Sequence, residues 1–267
     1  MNRRSFLGAG AVVLATAIAG CTTFNVQSSE TTTDSISADD IDRIRVSNAV
    51  GDVTVTGADI DRIEYSAEKR LRGEGEDFDR LTVTVATSDG LLELIGGFSG
   101  SSSVFEDRGS ITLAVRVPRD LVVEAVDVDV GRVSLRDTTG DSIVRVGVGA
   151  VEARRVDGFL DLSTQTGSLD ATDIAGLDHA STDIGDVTVE VRGLRRDVDI
   201  GTGIGAVEVR VLSELDLELD LRGSSVESDL SLTDTTREGD HITGRLNGGG
   251  YRLRVGSDLG EARVRAL

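Results

Sequence analysis

The chain has 267 residues, 39% of them hydrophobic, and carries 47 acidic against 28 basic side chains for a net charge of −19. That apolar content is enough for a buried core and excludes a disordered chain, and with no basic stripe to neutralise phosphates, nucleic acid is excluded as a partner. The single cysteine, Cys21, excludes an intrachain disulfide and a cysteine-based metal cluster.

The bases are almost all arginine, Lys69 being the one lysine, and the acids lean toward aspartate. Such self-repulsion is screened in molar salt, where the Debye length shrinks to about 3 Å, so the composition points to a salty environment and a halophilic archaeon.

The first element is "MNRRSFLGAGAVVLATAIAGC". Arg3 and Arg4 precede a weakly apolar run from Phe6 to Ala19, shorter than the roughly 20 residues of a spanning helix. Arg3-Arg4-Ser5-Phe6-Leu7 resembles a twin-arginine export signal, and Ile18-Ala19-Gly20-Cys21 resembles a lipoprotein lipobox. The resemblance implies that residues 1–20 are a removable signal and that Cys21 carries lipid. It also implies an extracytoplasmic protein held on the outer face of the cell membrane. Residues 21–40 are polar, rich in Ser and Thr and without a hydrophobic period, and read as a flexible tether.

From residue 41 to residue 267 the chain reads as one domain written in strands. "IRVSNAVGDVTVTG", "RLTVTVATSDGLLELI" and "SITLAVRVPRDLVVEAVDVDV" alternate apolar and polar residues, and no segment shows a helical period. Gly131, Gly149, Gly167 and Gly185 stand 18 residues apart, Gly205 follows after 20 and Gly223 after another 18. Minor glycines (Gly140, Gly158, Gly176, Gly193) lie between them, so each repeat holds two strand-and-turn units. Two and four positions after each of the first five major glycines stand apolar pairs: Val133 and Leu135, Val151 and Ala153, Leu169 and Ala171, Val187 and Val189, Val207 and Val209. On the other strand Val144, Leu162 and Ala180 share a column, and Val146, Thr164 and Thr182 share the next.

A strand with two or three inward side chains cannot bury enough surface alone, so like positions must stack into columns. The pattern predicts an all-β fold: a right-handed β-helix-like β-solenoid of stacked coils of about 18 residues, two strands per coil, with capping strands at both ends. The threonine column suits either an internal hydroxyl ladder or a solvent-facing stripe. With "ITLAVRVPRDL" before the repeats and "ITGRLNGGGYRLRVGSDLGEARV" after them, residues 41–267 resemble the DUF4097 family of adhesin-like β-strand-repeat proteins. The resemblance implies a surface-exposed β-solenoid with an adhesion role and no catalytic residues.

Chemistry is sparse along this scaffold. "DIGTGIGAV" at residues 199–207 fits the G-x-G-x-x-A pyrophosphate loop through Gly201, Gly203 and Ala206, but that loop must open a helix. Here strand alternation follows in Val207-Glu208-Val209-Arg210-Val211, so Gly205 reads as a repeat turn and no nucleotide is expected. His179 and His241 stand apart from any motif. Asp183 with Asp186, Asp127 with Asp129 and Asp197 with Asp199 are paired, yet the turns lack the recurrent aspartate of a repeat calcium site. We therefore expect no catalytic residues, no cofactor and no metal. The irregular inserts "RGEGEDFDR" and "IGGFSGSSSVFEDRG" are where a recognition surface would be sought. The partners expected are the membrane, through the lipid on Cys21, and cell-surface or envelope components. The first reading is a non-catalytic adhesion or envelope-interaction module; the alternatives are a bactofilin-like filament scaffold and a polysaccharide-active β-helix enzyme.

Overall fold

The 18-residue interval reappears as pairing register: Val144 is bonded beside Val126 on one side and Leu162 on the other, and Val151 lies between Val133 and Leu169. A computed structural model describes residues 27–72, 78–99 and 109–267. The fold is all-β, with no α-helix among the described residues and one 3-10 turn at Phe78–Arg80.

In chain order the strands are β1 (Gln27–Ser37), β2 (Arg43–Val50), β3 (Val53–Ala58), β4 (Arg62–Arg72), β5 (Leu81–Ser88), β6 (Leu91–Phe98) and β7 (Gly109–Pro118). The repeat region holds β8 (Val122–Val130), β9 (Val133–Arg136), β10 (Ser142–Val148), β11 (Val151–Thr166), β12 (Leu169–Ile184), β13 (Val187–Val191), β14 (Val198–Ile204) and β15 (Val207–Val211). The last are β16 (Leu217–Arg222), β17 (Ser225–Ser228), β18 (Thr233–Glu238), β19 (His241–Leu246), β20 (Tyr251–Leu259) and β21 (Glu261–Ala266).

Hydrogen bonding arranges them in two ladders. The first runs β5–β6–β2–β8–β10, through the second halves of β11 and β12, then β14–β20–β16–β19–β18. The second runs β1–β4–β7–β3–β9, through the first halves of β11 and β12, then β13–β15–β21–β17. Because β11 and β12 pass through both, all 21 strands belong to one sheet, which is not closed. The interior ladder steps are parallel, and antiparallel pairs occur at the ends: β5, β4 and β1 at one, β19 and β18 at the other. One hydrophobic cluster draws on both ladders, and the ten apolar positions that follow the major glycines are each at most 1% exposed.

The rungs do not stack in chain order at either end. The pair β2/β3 lies between β6/β7 and β8/β9, and β20/β21 slots between β14/β15 and β16/β17. Gly223 is therefore not the glycine that follows Gly205 in the stack, as the 18-residue count suggests. That place belongs to Gly260, where a Cβ would lie 1.8 Å from the Gly205 carbonyl oxygen, while Ser224 donates its amide to Gly260 at 2.9 Å in the last rung.

At the turns the glycine is required twice over. Gly167 has φ +147°, and a Cβ there would sit 1.4 Å from the Gly149 carbonyl oxygen. Gly131, Gly149, Gly185 and Gly205 share the conformation, with φ between +143° and +153°. A second corner recurs at the same interval without glycine: Asp137, Arg155 and Asp173 have φ of 57°, 53° and 54°. Aspartate tolerates this region through its short polar side chain; Arg155 is held there by two hydrogen bonds to the Asp137 carboxylate, at 2.8 and 3.0 Å.

The threonine column faces inward. Thr164, Thr182, Thr202 and Ser257 are buried in line, with Val146 and Val128 before them. Instead of bonding one another, the hydroxyls of Thr182, Thr202 and Ser257 donate to the carbonyls of Gly167, Gly185 and Gly205 at 3.2, 2.8 and 2.8 Å. Each thereby ties its rung to the turn below.

The tether expected over residues 21–40 is corrected over residues 27–37. Gln27–Ser37 forms β1, paired antiparallel with β4 over its whole length. "QSSETTTDSIS" lacks the apolar alternation of a two-sided strand because it lies at an edge, where a polar strand both covers β4 and blunts further pairing.

Outward positions on the second ladder carry ion pairs across rungs. Glu152 meets Arg136 at 3.0 Å and Arg154 at 2.6 Å, and Arg154 reaches on to Asp170 at 3.2 Å. Hydrogen bonding from Arg154, against a smaller opposing effect of burial, holds the Glu152 carboxyl below its ordinary range.

We predict that Gly167→Ala lowers stability in molar salt by about 3 kcal/mol or more, through strain and backbone collision. Gly97→Ala, where a Cβ meets nothing within 4 Å, changes it by less than about 0.5 kcal/mol; paired denaturant melts check both. A depressed carboxylate stabilises above its unfolded pKa of about 4.3 and loses that contribution as pH falls through the lower folded value. Glu152→Gln therefore costs up to about 1 kcal/mol at pH 7, and the difference from wild type closes below about pH 4 in melts run across pH.

Candidate functional site

Alternation along the first ladder sends every second side chain outward, and two depressions lie on that outward face. One shallow depression of about 410 Å³ is lined by Asp127, Asp129, Arg145, Gln165 and Asp183. A second, of about 370 Å³, lies across β12, β14, β20 and β16. Beside them Val148, Ile184, Ile204 and Leu259, each just before a turn glycine, are 48–64% exposed, with Thr166 standing between Val148 and Ile184 in the same row.

The second depression has a floor of backbone. Gly201 and Gly256 are register partners on β14 and β20, with Ser181 next to Gly201 and Arg222 next to Gly256 on the outer sides. His179 Nε2 lies 2.9 Å from Ser181 Oγ, and Arg254 Nη1 lies 3.1 Å from Asp199 Oδ1. Asp220 receives Arg222 Nε at 2.9 Å and faces His241 Nε2 at 3.0 Å. Burial raises the Asp220 carboxyl, and the hydrogen bonds from Arg222 and His241 outweigh it, so its pKa falls below the ordinary value.

Of the paired acids of the sequence, Asp127, Asp129 and Asp183 line the first depression and Asp199 the second. Asp186 accepts the Ala206 amide at 2.8 Å and Asp197 accepts the Arg252 amide at 2.9 Å, so each clips one rung to its neighbour. Asp127 lies 3.6 Å from Arg145, and Asp183 opens on the first depression. Among the described residues no group of three or more His, Cys, Asp or Glu side chains is arranged for a metal ion. Gly203, the middle glycine of the pyrophosphate-like motif, is demanded by packing, since a Cβ there would lie 2.7 Å from the Asp183 carbonyl oxygen. β15 follows the motif as a strand, not a helix. Arg3, Arg4, Ile18, Ala19, Gly20 and Cys21 lie outside the described residues, as do parts of both irregular inserts.

Two features escape sequence reading. Asp52 and Asp141 act as the same backbone clips, accepting the amides of Arg132 and Phe159 at 2.9 Å each. The Gly-Asp pairs of the turns carry the signal for Asp52 and Asp186. A bulge in β12 leaves Asp178 without a ladder partner, and there it receives Arg195 and Arg196, with Arg195 also 2.6 Å from Asp141 and 4.3 Å above the Phe159 ring.

No family model matches the chain, and no curated protein matches it. Among solved structures it is similar to a candidate adhesin of Bacteroides fragilis at 12% identity and TM-score 0.42, covering 89% of this chain and 97% of that one. A candidate cell-adhesion protein of Clostridium sporogenes aligns at 10% identity and TM-score 0.38, covering 90% of this chain and all of that one. A candidate lipid-binding protein of Parabacteroides distasonis aligns at 11% identity and TM-score 0.35, covering 88% and 96%.

Proposed function

We propose that the chain is an exported lipoprotein, anchored through lipid on Cys21, whose two ladders are walls of a β-solenoid displayed outside the cell of a halophile as a non-catalytic adhesion or envelope-interaction module. The observation that carries this reading is the outward face of the first ladder. It continues from rung to rung, presents two shallow depressions beside a row of exposed aliphatic side chains broken by Thr166, and pairs Asp127, Asp199 and Asp220 with arginines. A surface built this way offers area and rigidity for contact. The ordering of β1 supports a close anchor: the stretch from Cys21 to Gln27 reaches at most about 20 Å when extended.

The end strands favour a discrete molecule over a filament. β18, one outer edge, is exposed at every residue, and β1, another, is polar except for Ile36. Arg237 also donates to the Val226 carbonyl at 3.1 Å, occupying an acceptor on the edge strand β17.

Expression with Cys21→Ser should move the protein from the membrane fraction to the medium, and a deletion strain should lose attachment to cells or surfaces. Retention of the variant in membranes overturns the anchor, and unchanged attachment overturns adhesion. Sedimentation of the purified protein in molar salt should give one monomer-sized species; long polymers at micromolar concentration would favour the filament reading instead.

A further inference from the structure

We infer that the glycine-floored depression on β12, β14, β20 and β16 is a binding site for a neutral saccharide, lying against a pyranose ring. The inference rests on the display reading and supplies its ligand class.

The first step is that the fold does not explain Gly256. Gly147 and Gly203 face outward on the same ladder because a Cβ would lie 2.5 Å and 2.7 Å from a neighbouring carbonyl oxygen. At Gly256 a Cβ would meet only the Arg222 carbonyl oxygen, at 3.9 Å, and φ is not positive. Glycine in a strand interior costs roughly 0.5–1 kcal/mol relative to alanine and packs nothing. Its partner Gly201 has room limited to 3.2 Å by the Gly256 carbonyl, so the two together leave a strip of bare backbone where any other pair of residues would stand up from the sheet. The chain keeps empty a place it has space to fill.

The second step is charge. Both guanidiniums on the walls are already matched, Arg254 by Asp199 and Arg222 by Asp220, so no free cation waits for a phosphate or sulfate. Those pairs also consume two of the carboxylates. Asp258, exposed and with no partner among the described residues, is left alone, and calcium needs six to eight oxygens. The remaining capacity is mixed: N–H groups of Arg254 and Arg222, the His179–Ser181 pair, and carboxylate oxygens of Asp199 and Asp258. A ligand that donates and accepts from neighbouring positions and carries no charge meets it. Sugar hydroxyls do both, and the C–H face of a pyranose suits the backbone floor. Rows on either side stand two residues away along the strand, about 6.8 Å, and Ser181 and Arg222 are three strand spacings apart, about 14 Å.

With no aromatic platform, a single site should hold a saccharide weakly, with millimolar Kd. Many copies on one cell would then add avidity.

The test uses the full chain, purified in detergent and molar salt. Titration calorimetry with neutral tetrasaccharides of glucose, galactose and mannose is set beside a sulfated galactose tetrasaccharide and calcium chloride alone. At least one neutral saccharide should bind. Gly256→Leu, which fills the floor, should weaken it about tenfold or more, while Gly97→Leu, an equal change at an open outward position elsewhere, leaves it within about twofold. Asp258→Ala, on an exposed side chain, should weaken it in the same direction and serves where Gly256→Leu does not fold. No neutral binding, binding confined to the sulfated sugar or to calcium, or full binding by Gly256→Leu overturns the inference. Cells separate it from the reading beneath it. Attachment lost on deletion but intact with Gly256→Leu sinks the groove and leaves adhesion standing; saccharide binding in vitro with no attachment change on deletion does the reverse.

Discussion

Each turn glycine stands so close over the one below that the lower carbonyl occupies the place of a Cβ, and the rest of the molecule is organised by that approach. It fixes the height of a rung at one strand spacing on the turn side and brings backbone to backbone for the bonds from Gly149 to Thr166 and from Gly167 to Ile184, both 2.8 Å. With rungs held at that height, two inward residues per strand become continuous columns. Val144 or Ala153 alone buries little; in line with their neighbours they lose all contact with water. The hydroxyls of Thr182, Thr202 and Ser257 work at the same point, bonding the turn carbonyls of Gly167, Gly185 and Gly205.

A stack this regular has two exposed problems: its ends and its charge. Three of the four ladder ends are antiparallel strands, and two of them, β1 and β18, carry almost entirely polar side chains, which discourages further pairing at those edges. The charge is handled by arginine, whose fork can reach two carboxylates on successive rungs as Arg154 does with Glu152 and Asp170. Such exposed pairs contribute little one at a time, but they reduce repulsion between like acids stacked about 4.8 Å apart. Aspartates that accept backbone amides, Asp52, Asp141 and Asp186, are a further use of negative charge in the rungs.

The repeat was legible because its constraint is glycine-specific: no other residue fits at Gly131, Gly149, Gly167, Gly185 and Gly205, so the spacing is printed in the chain. Where the constraint can be met otherwise the sequence is mute. The corner at Asp137, Arg155 and Asp173 uses three side chains that elsewhere mean solvent. β1 has no hydrophobic period because an edge strand with little to bury needs none. Counting onward to Gly223 failed because periodicity records local geometry and not the order in which rungs are filled. The depression was invisible for the same reason, since Gly201 and Gly256 are neighbours only through the insertion of β20.

That insertion connects the fold to the site. β20 and β21 enter between rungs formed by earlier parts of the chain, so the final strands are flanked on both sides instead of left at an edge. Before β20 is seated, β14 lacks its outer partner and β16 has no parallel neighbour on that side. There is then no Arg254 for Asp199 and no second glycine for the floor. The depression is completed by the strand that completes the stack, which ties its geometry to the finished fold rather than to any one loop. A surface made in this way has paired strand backbone at its base and, Asp258 apart, charged side chains held in pairs around it. It presents a fixed shape without the long loops on which recognition sites are more often built.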